Sequence, residues 1–125
     1  MKRHLINILV LVMVCCALMF LLEKETNLLK NLYNDYALDN YDHWLPCEKL
    51  PMVAVVEQVL NEHQPIVEKI KQVNPGFVFI EMDTFTCPGK ADIIISYASH
   101  QDRDRIEALI GGRDFFGIPF RLRNQ

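Results

Sequence analysis

The chain has 125 residues, half of them hydrophobic, and its 13 basic and 16 acidic side chains give a formal net charge of -3. This length leaves room for one small domain rather than two. The acidic balance argues against a nucleic-acid binder, which normally carries a basic face or stripe. Much of the hydrophobicity lies in one run near the N-terminus, and an ordinary soluble composition follows it.

The first 22 residues have the pattern of a membrane segment. A short basic head, residues 1–4, precedes the apolar run Leu5–Leu22, in which Asn7 is the one strongly polar side chain. A helix of this length spans about 27 Å, close to the thickness of a bilayer's hydrocarbon core. We therefore expect a transmembrane helix that contacts lipid through Leu5–Leu22.

An uncleaved signal-anchor accounts for this run better than a cleaved signal peptide. Cleavage at the small-residue candidate Cys15-Cys16-Ala17 would leave the apolar stretch Leu18–Leu22 on the new N-terminus. Attachment of lipid to Cys15 or Cys16 is an alternative, but Val12-Met13-Val14 lacks the small residue that such processing requires.

The charges that flank the run predict a single-pass orientation. Lys2 and Arg3 precede it, whereas Lys24 is the one cation directly after it. Because positive residues favour the cytoplasmic side, we expect a cytoplasmic N-terminus and an extracytoplasmic domain.

We expect residues 23–49 to form a stalk and an acidic, aromatic loop before a small domain at residues 50–125. Leucines and tyrosines between Leu28 and Tyr36 have helical spacing, so this part either continues the membrane helix or folds back on the domain. Asp and Asn favour turns over helix interiors, and they predict a loop from Leu38 to Leu50.

The domain begins with a helical pattern and continues with strands. Apolar residues from Met52 to Val73 hold a 3.6-residue period, but Pro65 predicts a kink or two helices that meet near His63-Gln64. The segments that follow are a strand, a second strand that the Ile93-Ile94-Ile95 run makes central, a helix capped by Ser99, and an edge strand that contains Pro119: Phe77–Asp83, Ala91–Ala98, Ser99–Ile110 and Ile118–Arg123.

This order predicts an α+β fold. The first two strands should form an antiparallel hairpin, and the connection to the last strand is long enough for a right-handed crossover to a parallel position. The simplest solution has two layers, α-β-β-α-β in order, with a three-stranded mixed sheet and the helices on one face.

Cys47 and Cys87 are the two cysteines outside the apolar run. In an extracytoplasmic domain a disulfide is the default for such a pair. We expect a bridge between them; two unpaired thiols are the alternative if the topology is inverted.

No metal ion or other cofactor is expected. The candidate ligand set contains two histidines and two cysteines: His43, Cys47, Cys87 and His100. Their spacing includes no close Cys-x-x-Cys or His-x-x-x-His pair. The acidic loop also lacks the Asp-x-Asp-x-Asp-Gly order of a calcium site.

The histidines form no recognisable catalytic constellation. His63 lies in the apolar stripe of a helix, where a lone histidine is usually a hydrogen-bonded core or edge residue. His100 sits in the first turn of a helix with no Ser or Cys partner beyond the capping Ser99. Gly111-Gly112 follows a helix and therefore differs from a phosphate-binding loop.

The candidate binding residues lie on the sheet face away from the helices and in the acidic loop: Phe77, Phe79, Arg121, Arg123, Tyr36, Tyr41 and Trp44. A soluble monomer rarely leaves two neighbouring Phe side chains bare. The segment Tyr33–Trp44 is the natural cover within the chain, and its acids would then meet the two arginines. Without that cover, the face should bind a partner.

Two functions from different classes are compatible with these features. The first is a membrane-anchored extracytoplasmic interaction module without catalytic activity, which binds another protein or itself. The alternative is a membrane-tethered enzyme or small-ligand binder that uses His43, His100 or Asp83 in a site between sheet and loop. A pocket lined by titratable groups with shifted pKa values would favour the alternative.

Overall fold

The computed structural model describes residues 2–125 and confirms the α+β fold and the predicted element order. The helices and strands, in chain order, are α1 (Lys2–Thr26), α2 (Leu28–Tyr36), a short 3-10 helix (Cys47–Lys49), α3 (Val53–Glu62), α4 (Gln64–Lys71), β1 (Phe79–Asp83), β2 (Asp92–Tyr97), α5 (His100–Ile110) and β3 (Phe120–Asn124).

Helix α1 contains the apolar run and is separated from α2 by a sharp break. Residues Arg3–Lys24 are long and apolar enough to cross a membrane or to act as a signal sequence, and they are not buried by the rest of the described chain. The break lies at Asn27, whose φ of 51° is left-handed. The Glu23 carboxylate accepts the backbone N–H groups of Leu29 (2.6 Å) and Lys30 (3.2 Å), which satisfies donors that every helix leaves free at its start.

The sheet has the order β1-β2-β3, with β2 in the centre as predicted. Strands β1 and β2 are antiparallel, whereas β2 and β3 are parallel. Side chains on one face belong to the core, including Ile93 and Ile95 of β2 and Leu122 of β3. This register determines which side chains share each face.

The helices form the second layer on that core face. Val56 of α3, Val67 and Ile70 of α4, and Ile106 of α5 belong to one buried cluster with the sheet residues. Pro65 lies in the first turn of α4, so α3 and α4 are separate helices that meet at His63, as Pro65 predicted. Ser99 caps α5 by accepting the Asp102 N–H, which also confirms a prediction.

The segment 39–45 lies along the outer edge of β3 at Asn40 and Tyr41 and reaches the start of β2 at His43. Tyr41 and Leu122 exchange two backbone hydrogen bonds of 3.0 and 2.9 Å in an antiparallel bridge. The Tyr41 ring packs on Phe120 with centroids 5.3 Å apart. The predicted loop therefore adds one rung to the sheet.

The predicted disulfide between Cys47 and Cys87 is present, with Cα atoms 5.4 Å apart. Cys47 begins the 3-10 helix and Cys87 lies in the β1–β2 connection. The bridge therefore fixes the chain before α3 to the end of the hairpin.

Candidate functional site

The sheet face opposite the helices, called here the open face, is mostly charged, and Phe79 at the start of β1 is its one exposed aromatic side chain among the described residues. The pairing register assigns these side chains to it: Phe79, Glu81, Asp83, Asp92, Ile94, Ser96, Arg121 and Arg123.

On the β3 side, Arg121 is held between two carboxylates from neighbouring strands. Asp83 and Asp92 are opposite each other in the hairpin. The Arg121 guanidinium donates from Nε and Nη2 to Asp92 at 2.6 and 2.8 Å, and from Nη2 to Asp83 at 2.5 Å. Such a forked, charge-assisted arrangement is geometrically specific and strong.

These contacts determine the charge of both acids. Burial alone would raise the pKa of Asp92, but the hydrogen bonds from His43 and Arg121 outweigh it and lower the pKa below its ordinary value. Burial would likewise raise the pKa of Asp83, yet hydrogen bonds from Thr86 and Arg121 lower it. Both carboxylates are therefore ionised at neutral pH.

His43 connects the loop to this pair. Its Nδ1 accepts the Leu45 N–H at 2.9 Å, and its Nε2 lies 2.7 Å from Asp92 Oδ2. Since Nδ1 is an acceptor, the ring proton lies on Nε2 and is donated to Asp92. Both ring nitrogens are thus occupied within the chain.

A cleft of about 290 Å³ lies beside this network, between the loop and the sheet. Asp83, Asp92, Arg121 and His43 line it together with the disulfide residue Cys87. The nearest hydroxyl, Thr86 Oγ1, donates to Asp83 at 2.5 Å. The polar groups therefore bind one another, and across the described residues no buried side-chain nitrogen or oxygen is left without a partner.

Two further clusters attach the loop and α2 to the domain. Arg123 donates to Asp42 at 2.8 Å. Arg103 of α5 is buried and donates to Asp35, to Asp39 (3.0 Å) and to Glu107 (2.8 Å).

Among the candidate ligands, His100 lies in the second of these clusters. Its Nδ1 lies 2.7 Å from an Asp39 carboxylate oxygen, and this hydrogen bond raises the pKa of His100. His100 is at the far end of the sheet from the cleft, because Asp39 and Asn124 are its neighbours there. Among the described residues, no group of three or more His, Cys, Asp or Glu side chains is arranged to hold a metal ion.

The predicted binding residues fall into separate groups. Phe79 is 45% exposed at the start of β1, and Arg121 and Arg123 lie two strands away. Phe77 is 59% exposed, but it lies in the turn before β1 and not, as the sequence had predicted, in the strand, because its N–H is donated to Asn74. Segment 39–45 pairs with β3 and reaches β2 at Asp92, and it leaves the two Phe side chains exposed. The predicted contact between its acids and the arginines occurs at Arg123 and not at Arg121, because Asp83 and Asp92 already occupy Arg121.

The three loop aromatics have different environments. Tyr36 ends α2 and is 85% exposed, while Tyr41 is half-buried on Phe120. Trp44 donates from its indole to Asn31 of α2, and Lys30 Nζ lies 5.6 Å from its ring centroid.

Sequence reasoning missed two features of this region. One is the hydrogen-bond network around Arg121. The sequence feature that could have indicated it is the pair of acids, Asp83 and Asp92, that flank the hairpin connection. The other is Phe85, which is 93% exposed between two threonines of that connection. An aromatic side chain in a polar turn was the available signal.

Comparisons with known proteins identify no relative of this chain. The chain matches no protein-family model, no curated protein and no solved structure.

Proposed function

We propose that this protein is a single-pass membrane protein whose extracytoplasmic domain is a non-catalytic interaction module that binds another protein or itself. Helix α1 is the anchor in this proposal. The disulfide supports placement of the domain in an oxidising compartment, since such bonds persist there.

The exposed Phe pair at the start of β1 carries the proposal. Phe79 of β1 and Phe77 in the turn before it are both exposed, whereas the other sheet face packs against the helices. Contiguous exposed apolar surface on a folded domain usually marks an interaction site. Aromatic side chains are also enriched where partners bind, because they bury a large area at low entropic cost.

The alternative of an enzyme or small-ligand site is supported by the cleft beside His43 and Asp83. The two acids there have lowered pKa values, as functional carboxylates often do. However, the same contacts that shift them occupy His43 and Arg121. Because the hydrogen-bonding groups of both side chains are used within the chain, these contacts support a structural role for the network.

The test replaces both rings in the full chain, Phe77→Ala with Phe79→Ala, and follows cross-linked complexes in native membranes. We expect the homodimer or hetero-complex formed by the wild type to be lost, since aromatic anchors often contribute most of an interface's binding energy. Mass spectrometry of the cross-linked species identifies whether the partner is a second copy.

Phe85→Ala is the matched control, because it removes an exposed ring from the same hairpin without touching β1. It should leave the complex intact. Near-ultraviolet circular dichroism checks that each variant is folded. Unchanged cross-linking in a folded double variant would refute this surface as the binding site.

A further inference from the structure

The contacts between α2 and the domain show at which end of the sheet the C-terminal end of α1 lies. At its C-terminal end, Asp35 binds Arg103 beside Asp39. Nearer its N-terminal end, Asn31 and Lys30 contact Trp44. Helix α2 therefore runs antiparallel to segment 39–45, and its first turn lies near Trp44.

The same segment has a defined direction along the sheet. Asn40 Oδ1 accepts the N–H of Asn124 at the end of β3, whereas His43 contacts Asp92 at the start of β2. Because β2 and β3 are parallel, the start of β2 is also where β3 starts and where the β1–β2 connection lies. The N-terminal end of α2 is thus at the hairpin end of the domain, defined here as residues 44–49 and 84–90.

The elbow between α1 and α2 brings this end close to the apolar helix. Glu23, in the last turns of α1, binds the backbone of Leu29 and Lys30 in the first turn of α2. Lys30 in turn contacts Trp44. Lys30 therefore links the two regions. Its side chain contacts the Trp44 ring, and its backbone N–H is donated to Glu23 near the end of the apolar helix.

The hairpin end has the composition of a membrane-interface surface. Phe85 is almost fully exposed at its tip, and Leu45 and Trp44 are partly exposed. Lys49 and Lys90 flank the disulfide that joins its two halves. Aromatic rings with neighbouring lysines suit the boundary between acyl chains and headgroups, where the rings are buried and the ammonium groups remain solvated.

We propose that the hairpin end rests on the lipid surface, with Phe85 inserted at the membrane interface and Trp44 at the same boundary. This inference rests on the membrane anchoring proposed above. Its occupant is the bilayer that holds α1, because the elbow leaves this end of the domain nearest to that bilayer. The Phe77 and Phe79 rings lie at the opposite end of the hairpin and remain available to a partner.

Trp44 is the single tryptophan of the chain, and it provides a native probe. The full chain is reconstituted in phosphatidylcholine–phosphatidylglycerol vesicles that contain a lipid brominated on its acyl chain near the headgroup. A second variant, Trp44→Phe with Phe85→Trp, moves the probe to the tip. Both proteins should show blue-shifted emission that the brominated lipid quenches.

The matched control is Trp44→Phe with Tyr36→Trp, since Tyr36 is also highly exposed but ends α2 at the far side of the domain. Its emission should be unshifted and unquenched. If the Phe85→Trp probe behaves like this control while the protein resists alkaline extraction from the vesicles, the lipid contact is refuted and the anchoring stands. If alkali extracts the protein, the anchoring fails and this inference fails with it.

Discussion

Replacement of Arg121 by methionine should destabilise the domain strongly. Methionine keeps an unbranched stem but leaves Asp83 and Asp92 facing each other without a cation. Asp92 is 2% exposed and takes its side-chain hydrogen bonds from Arg121 and His43, so it loses most of its partners with the guanidinium. Removal of one partner from a buried ion pair typically costs about 3–5 kcal/mol. For a domain of about 100 residues this corresponds to a Tm lower by about 15–25 °C.

Arg123→Met is the matched control because Arg123 lies on the same strand and the same face. Its side chain is 31% exposed, against 16% for Arg121, and it binds one carboxylate. We expect a cost of about 1 kcal/mol or less, as for solvent-accessible pairs. Urea unfolding of the full chain in detergent, followed by Trp44 fluorescence, gives both values. Equal losses in the two variants, or a loss below about 1 kcal/mol for Arg121→Met, would refute the reasoning.

Three further predictions concern the covalent structure, the acid response and the topology. Cys47→Ser with Cys87→Ser opens a bridge between residues 40 apart and should lower the free energy of unfolding, by about 4 kcal/mol on the chain-entropy model; an unchanged urea midpoint would contradict this. Because folding lowers the pKa of Asp83 and Asp92 below their ordinary value of 3.8, the unfolded state binds more protons in acid. The stability that they contribute is therefore complete at neutral pH and lost as the pH falls below about 4, which acid titration of the urea midpoint measures. A reporter fused after Gln125 should be active only outside the cytoplasm, and activity of a cytoplasm-only reporter would reverse the orientation.

The parts of the fold that local chemistry determines could be predicted from the sequence. Pro65 lacks an N–H and therefore separates α3 from α4. Ser99 caps α5 because its hydroxyl accepts an N–H three residues later. The Ile93-Ile94-Ile95 run placed β2 in the centre, although Ile94 on the open face is only partly buried.

Features that depend on register between distant segments could not be predicted in the same way. The strand register decides which residues of β1 and β2 lie beside Arg121. They are Asp83 and Asp92, so Arg121 binds these two acids of the hairpin and no acid of the loop. Similarly, the helical spacing of Leu28–Tyr36 did not reveal the break at Asn27. The Glu23 contact that accompanies this break joins residues in two different helices.

The rung formed by Tyr41 has a consequence for how copies of the chain can assemble. It occupies both backbone groups of Leu122, and Asn40 occupies the N–H of Asn124, so the β3 side of the sheet is closed to an added strand. On the outer side of β1, the described residues supply no strand. A sheet that is open along one side can pair with one copy about a two-fold axis, whereas polymerisation needs two open sides. Strand-mediated association of this protein would therefore stop at discrete pairs and would not continue into fibres.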